Sequence, residues 1–345
     1  MQKFTIIKIV LILLIVVFMT LGIASLLKKR ENEIMDEKEK LMLMNGTIGE
    51  VRSSDYEINI DRKVIHLTKG LFLAPEDYQN PNDKKIVLPF QLYKKEQDSN
   101  KETILYLGGG PGLSNMKYTP PYEMIELFDV LVVGYRGVDG SVALDSYEIE
   151  KALLGVGQDA LSNDSIQNMK DAASRFKNRM MLEEININQY HIGNIIEDIE
   201  LLRNSLSIDT LNLMSISFGT RVSLIYQSVY PEVIQRSVME SVNVDGGFIW
   251  DQYIFDNQLQ EIAEMFKTDN CKSPYESIKN VLTEMPNKWK LIPIDSGKVR
   301  IMTFVGLFNA EMASGIISSY CKAENGDYSG IAMLSFAYDF MVPKM

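Results

Sequence analysis

The sequence predicts an α/β fold, a mostly parallel sheet with helices on both faces, followed by a helical cap. Three observations carry that expectation. Short runs rich in Ile, Val and Leu recur from about residue 60 to residue 241, with helical spacing between the later ones. Two runs end abruptly in small-residue turns, Gly108-Gly-Gly-Pro-Gly112 and Ser215-Ile-Ser217-Phe-Gly219. After Gly247 the strand pattern gives way to helical spacing. Strands that alternate with helices pair in parallel, and their crossovers cover both faces of the sheet.

Composition sets the outer bounds. The chain has 345 residues, 46% hydrophobic and 23% charged, ample for a large core. Its net charge of −11 excludes a nucleic-acid partner, because a phosphate backbone rewards a basic surface. Cys271 and Cys321 form one bridge if the domain is exported, or are two buried thiols. No CxxC, HxxxH or HExxH pattern occurs, so neither a dedicated metal site nor a cofactor is expected.

The elements follow in order. Ile9 to Leu27 is uncharged, and at about 1.5 Å per residue it would span roughly 28 Å, near a bilayer core. It reads as an uncleaved anchor within residues 1–30, or as a signal peptide cut after Gly22 and Ala24. The run continues past that cut to Leu27, which favours the anchor. Lys3 and Lys8 precede it and Lys28, Lys29 and Arg30 follow, so orientation stays open. Either reading sends the chain through export, placing the body on the extracytoplasmic side or in the medium. Residues 31–58 mix Glu and Lys and read as a polar tether or frayed helix.

Strands are expected over 60–68 and 84–93, separated by the turn chemistry of Pro75 to Asp83. Thr103 to Leu107 and Leu131 to Gly134 are compact apolar strands. Helices are expected over 163–183 and 189–206, the second with Ile192, Ile195, Ile196, Ile199, Leu202 and Leu206 on one face. Then come a strand over Thr210 to Met214, a helix from Phe218 to Tyr230 stopped by Pro231, and a strand from Val233 to Ser241. Residues 251–267, 274–285 and 301–320 read as helices with no strand between them. This divides the chain into a core over 59–247 and a helical cap over 248–345.

The chemistry sits at the two turns. Ser217 lies where a strand turns sharply into a helix, a geometry that lifts the middle serine out of the sheet and needs small residues at 215 and 219. A serine-rich turn without chemistry is the alternative for the motif alone; the flanking strand and helix favour a nucleophile. The glycine loop after the strand at 103–107 can aim backbone N–H groups of Gly109 and Gly110 at a developing negative charge, with the Phe218 N–H as partner. A phosphate loop fits less well, because no lysine follows and Pro111 lacks a donor.

Several spaced segments together resemble the proline iminopeptidase and tripeptidyl aminopeptidase family of α/β-hydrolases. Leu73-Ala-Pro-Glu-Asp-Tyr78 is similar to its VPxDY motif, and the glycine loop to HGGPG. Val133-Gly-Tyr-Arg-Gly137 with Gly140-Ser141 is similar to DxRGxGxS. Asp198 to Arg203, Leu211 to Arg221, Tyr230-Pro231, Arg236 to Met239 and Gly326-Asp327 continue the match over about residues 60–335. Gly108 stands where the family has histidine and Gly134 where it has aspartate. The resemblance implies an α/β-hydrolase fold and release of N-terminal residues from peptides, or hydrolysis of small esters and amides.

A serine nucleophile needs a base, and in this fold an acid and a histidine follow the serine. The two histidines, His66 and His191, both precede Ser217. His66 reads as structural and His191 as a surface residue at a helix end. Asp245 stands where some α/β-hydrolases carry their acid, although a turn aspartate in Val244-Asp-Gly-Gly247 is the simpler reading. Asp327 and Asp339 fall in the cap with no base to orient. The expectation is a C-terminally truncated member lacking its last strands: a serine hydrolase impaired in this chain, or an inactive hydrolase-like fragment or binding scaffold at the membrane.

Overall fold

The computed structural model describes residues 38–97, 101–154, 159–244 and 251–341. The apolar run at residues 9–27 and Asp245 lie outside the described residues. Among those described, no helix is long and apolar enough to cross a membrane.

Seven strands form the main sheet: β1 (Val51–Ile60), β2 (Lys63–Pro75), β3 (Lys85–Lys94), β4 (Thr103–Leu107), β5 (Asp129–Val133), β6 (Leu211–Ile216) and β7 (Ile234–Glu240). The helices are α1 (residues 38–44), α2 (Tyr122–Leu127), α3 (Tyr147–Leu153), α4 (Asn163–Leu182), α5 (Ile192–Ser205), α6 (Phe218–Val229), α7 (Gln252–Met265), α8 (Pro274–Thr283), α9 (Ser296–Gly306), α10 (Ala310–Glu324) and α11 (Ser329–Met341). The chain divides into two compact units. One takes the described residues of Met1–Leu144 and Asn188–Asp245, the other those of Asp145–Ile187 and Gly246–Met345.

In the first unit the strand order is β1-β2-β3-β5-β4-β6-β7. β5, β4, β6 and β7 are parallel neighbours. β1, β2 and β3 form an antiparallel meander that joins them through β3 and β5. All five residues of β5 are buried, and successive side chains take opposite faces. Leu131 and Val133 pack in a core with Ile195, Ile199 and Leu202 of α5 and Val222 and Tyr226 of α6. Val130 and Val132 pack on the other face with Ile125 of α2 and Ile65 and Tyr93. Burial on both faces is why this strand reads as an unbroken apolar run.

One assignment of the polar stretch 31–58 is corrected. β1 occupies its second half and pairs with β2 along its whole length, from Val51↔Phe72 to Ile60↔Lys63. Its residues are mostly exposed, so no apolar alternation marks it. The turn is made by Asp61 and Arg62, both at positive φ (50° and 65°), the signature of a tight two-residue hairpin.

In the second unit, residues 145–187 join the C-terminal helices rather than the 59–247 core to which the sequence assigned them. The Ala160 N–H donates to Asp295 Oδ1 (3.1 Å), and Ser296 Oγ donates to Asp159 Oδ2 (3.0 Å), tying this segment to the start of α9. The single helix expected over 301–320 is two. α9 ends near Leu307, and Asn309 starts α10 by accepting the Met312 N–H (3.0 Å). A small hairpin, β8 (Lys288–Trp289) with β9 (Ile292–Pro293), lies where no strand was expected. Ile278, Val281, Val299, Ile317, Tyr320 and Ile331 form the core. Cys271 and Cys321 are bonded across a sequence separation of 50.

That bridge closes a long loop, so Cys321→Ser with Cys271→Ser should destabilise the second unit by about 2–4 kcal/mol. A lowered urea midpoint for protease resistance of residues 251–341 is the expected result. An unchanged midpoint contradicts it.

Candidate active site

Ser217 sits between β6 and α6 with φ 52° and ψ −120°. An L-residue adopts such angles only under constraint, at a cost of about 1–3 kcal/mol. The constraints are visible. The Ser217 N–H donates to the Glu240 carbonyl at the end of β7 (3.0 Å). Its own carbonyl accepts from the Thr220 N–H (2.9 Å) and hydroxyl (2.7 Å). Thr220 Oγ1 also accepts the Asn243 N–H (2.8 Å), joining the segment after β7 to the elbow. Gly219 has no space for a Cβ, which would overlap the carbonyl of Leu107. Ser215 is buried, and its hydroxyl donates to the Val238 carbonyl (3.4 Å), so the first small position of the motif is anchored across to β7.

The Ser217 side chain does not cap α6, although serine ordinarily does so at this position. The hydroxyl is therefore not consumed by the helix. The Phe218 N–H opens α6, where no intrahelical acceptor exists. Gly109 faces the same point: a Cβ built on it would lie 3.4 Å from Ser217 Cβ and 3.9 Å from Ser217 Oγ. Gly110 is exposed at φ 128°, a conformation glycine alone adopts without strain. Thus the sheet brings Ser217, Phe218 and Gly109 together, with Gly110 next along the loop.

Two side chains not singled out in the sequence support these turns. Asn115 is buried; its Oδ1 accepts the Gly108 N–H (3.1 Å) and its Nδ2 donates to the Val133 carbonyl (2.9 Å). Asp139 accepts the Tyr135 N–H (3.0 Å) and the Ser114 hydroxyl. A Cβ at Gly108 would overlap Asn115, and one at Gly134 would crowd Asp139 and Pro89. Both glycines thus leave room that another polar side chain fills. Tyr135 packs edge-on to Phe218, centroids 6.1 Å apart, and burial pushes its phenol well above the ordinary value.

A second network lies below. Arg136 makes a bidentate pair with Asp198, Nε to Oδ2 at 2.7 Å and Nη2 to Oδ1 at 2.6 Å. Its remaining N–H groups reach the carbonyls of Glu76 (2.7 Å), Gln189 (3.0 Å) and Pro75 (3.1 Å). All five guanidinium donors are then used. Tyr78 donates to Asp198 Oδ1 (2.8 Å). Burial works against the Arg136 charge, but the bonds to Asp198 outweigh it and hold the group above its ordinary value. Burial and the neighbouring Asp198 charge push the Tyr78 phenol far up.

No base is assembled from the described residues. His66 lies on β2, separated from β6 by β3, β5 and β4, so four strand spacings of about 4.8 Å put it roughly 19 Å away. His191 is exposed and starts α5, its Nδ1 accepting the Asn194 N–H (3.3 Å). Asp327 and Asp339 belong to the second unit. Asp339 accepts from Lys298 Nζ (2.7 Å), and Asp327 accepts the Ser329 N–H (3.1 Å). Asp245, the candidate acid, is outside the described residues.

No family model matches the chain. It is similar to serine protease Hip1 of Mycobacterium tuberculosis, 22% identical over 182 residues that cover 50% of this chain and 35% of the relative. It is likewise similar to a tripeptidyl aminopeptidase of Streptomyces lividans, 22% identical over 204 residues, 55% of this chain and 38% of the relative. The chain spans little more than a third of the length of these relatives. Among solved structures it is similar to a 2-hydroxy-6-oxo-6-phenylhexa-2,4-dienoate hydrolase from Rhodococcus sp. strain RHA1, with 12% identity, TM-score 0.33 and coverage of 85% and 74% of the two chains. A carboxylesterase from Bacillus subtilis gives 12% identity, TM-score 0.26 and coverage of 66% and 55%. At those scores the structures carry no argument, and the fold rests on the strand order and the elbow.

Removing one member of a buried ion pair leaves the other uncompensated, so Asp198→Ala should lower the unfolding free energy by about 3–5 kcal/mol. Urea denaturation followed by tryptophan and tyrosine fluorescence measures it. A loss below about 1 kcal/mol, the figure for a surface pair, contradicts the assignment.

Proposed function

We propose that this chain carries the nucleophile and oxyanion parts of a serine hydrolase of the α/β-hydrolase type. One observation supports the reading most: the left-handed backbone of Ser217 at a strand–helix elbow, with Gly109 on its open side. In this reading Ser217 Oγ attacks an ester or amide carbonyl. The N–H groups of Phe218, Gly109 and Gly110 receive the charge that develops on the carbonyl oxygen. Asp245 is the acid candidate. The substrates are peptides cleaved from the free N-terminus, or related small esters and amides; the support is similarity to relatives named a serine protease and a tripeptidyl aminopeptidase.

The base sets the expected rate. Ser217 loses its proton slowly without a histidine, and an oxyanion site with binding alone leaves roughly 10³-fold acceleration over water. Turnover is therefore weak wherever no base reaches Ser217. A second reading, a substrate-binding scaffold without turnover, is favoured by the distance of His66 and the exposed, helix-starting role of His191.

The Cys271–Cys321 bond supports placement in an oxidising compartment. We take residues 9–27 as a membrane anchor with the body outside the cytoplasm, the alternative being secretion after cleavage.

Aminoacyl arylamides and p-nitrophenyl esters test the catalytic reading. Weak turnover is expected that rises with added imidazole and vanishes in Ser217→Ala. Turnover that survives in Ser217→Ala removes Ser217 as the nucleophile. No turnover with or without imidazole, together with retained peptide binding, establishes the scaffold.

A further inference from the structure

We propose that Asn115 is the positioning residue of the glycine loop, a two-sided amide clamp that sets the Gly109 N–H against Ser217. The inference rests on reading Ser217 as a nucleophile, and its structural half can be measured apart from that reading.

Gly108, Gly109 and Gly110 run in succession after β4. Glycines hold no preferred backbone angles of their own, so the direction of the Gly109 N–H must be fixed from outside. Asn115 does this from one residue away. Its Oδ1 takes the Gly108 N–H, and its Nδ2 binds the Val133 carbonyl at the end of β5. The glycine loop is thereby tied to the strand beside β4, not only to its own.

Asn115 is itself held. It opens a short 3-10 turn, Asn115–Lys117, and its carbonyl accepts the Tyr118 N–H (2.9 Å). Ser114 accepts the Met116 N–H (3.1 Å) and donates to Asp139, which in turn receives the Tyr135 N–H. The clamp is thus a rigid side chain on a braced backbone. Its amide has one acceptor and one donor face, and each is used on a buried main-chain group. The fit requires glycine at 108, because a Cβ there would overlap the Asn115 oxygen. The chain therefore combines a flexible loop with one side chain that removes the flexibility where a developing oxyanion needs a fixed donor.

The full chain with Asn115→Ala, Asn115→Asp and Ser217→Ala supplies the test. Amide hydrogen exchange is followed over 103–118 and over β6, and Ser217 is titrated with a fluorophosphonate. In Asn115→Ala, exchange over 108–112 should accelerate about 10-fold or more while β6 stays protected. The labelling rate constant should fall about 10-fold or more, the scale for losing one oxyanion donor. Asn115→Asp keeps the acceptor for Gly108 and should fall between Asn115→Ala and the wild type; it also decides the matter if Asn115→Ala does not fold. Unchanged exchange in both Asn115 variants overturns the clamp. Accelerated exchange with unchanged labelling overturns its role in positioning the donor. Failure of the wild-type chain to label removes the nucleophile reading and the catalytic half of the inference, and the exchange data alone then decide the clamp.

Discussion

Ser217 holds a backbone conformation, φ 52° and ψ −120°, that a residue with a side chain enters only when its surroundings leave no relaxed alternative. The neighbouring strands and turns supply that compulsion. β6 delivers the residue, and β7 accepts its N–H through Glu240. Thr220 holds its carbonyl from two sides, and Gly219 lets α6 start against the end of β4. Relaxing Ser217 would require the helix, the segment after β7, or both to move. The parallel pairing of β4, β6 and β7 is thus what keeps the hydroxyl raised at the strand ends, where open α/β sheets place their sites.

The Arg136–Asp198 network performs a different task in the same unit. It sits where β2, the turn after β5 and helix α5 meet, and it satisfies the carbonyls of Pro75, Glu76 and Gln189 with one guanidinium. Three segments far apart in sequence share that one group. Immediately before it, Tyr135 packs against Phe218, so the turn that carries Arg136 also walls the elbow. The two networks are separate in chemistry and joined in packing. This explains why segments near 75, 136 and 198 accompany the serine elbow in the sequence although none of them touches the serine.

Much of this was legible in the sequence, and what was not has physical causes. Strand β4 reads off directly because its apolar run and glycine stop are local signals, and α5 because its stripe has helical spacing. β1 does not, because both its faces are largely exposed and no alternation marks it. The clamp of Asn115 and the support from Asp139 were invisible, since a lone polar residue in a loop carries no pattern until the fold places it beside a glycine. The assignment of residues 145–187 to the sheet core failed for a similar reason. Helical spacing shows that α4 has an apolar face but not which unit it faces, and the bonds to Asp295 and Ser296 that decide it span more than a hundred residues. The two histidines are plain in the sequence, and the strand order adds that His66 lies four strands from the elbow.

The central claim is that the fold forces Ser217 into a strained conformation in order to present its hydroxyl. The most direct measurement compares the stabilities of Ser217→Gly and Ser217→Ala by urea denaturation. Glycine relieves the strain of about 1–3 kcal/mol and costs about 0.4–1 kcal/mol relative to alanine through the unfolded chain. The account predicts that Ser217→Gly is the more stable of the two by about 1 kcal/mol. If Ser217→Gly is instead less stable than Ser217→Ala, by the amount unfolded-chain entropy alone would give, Ser217 is unstrained and the claim fails.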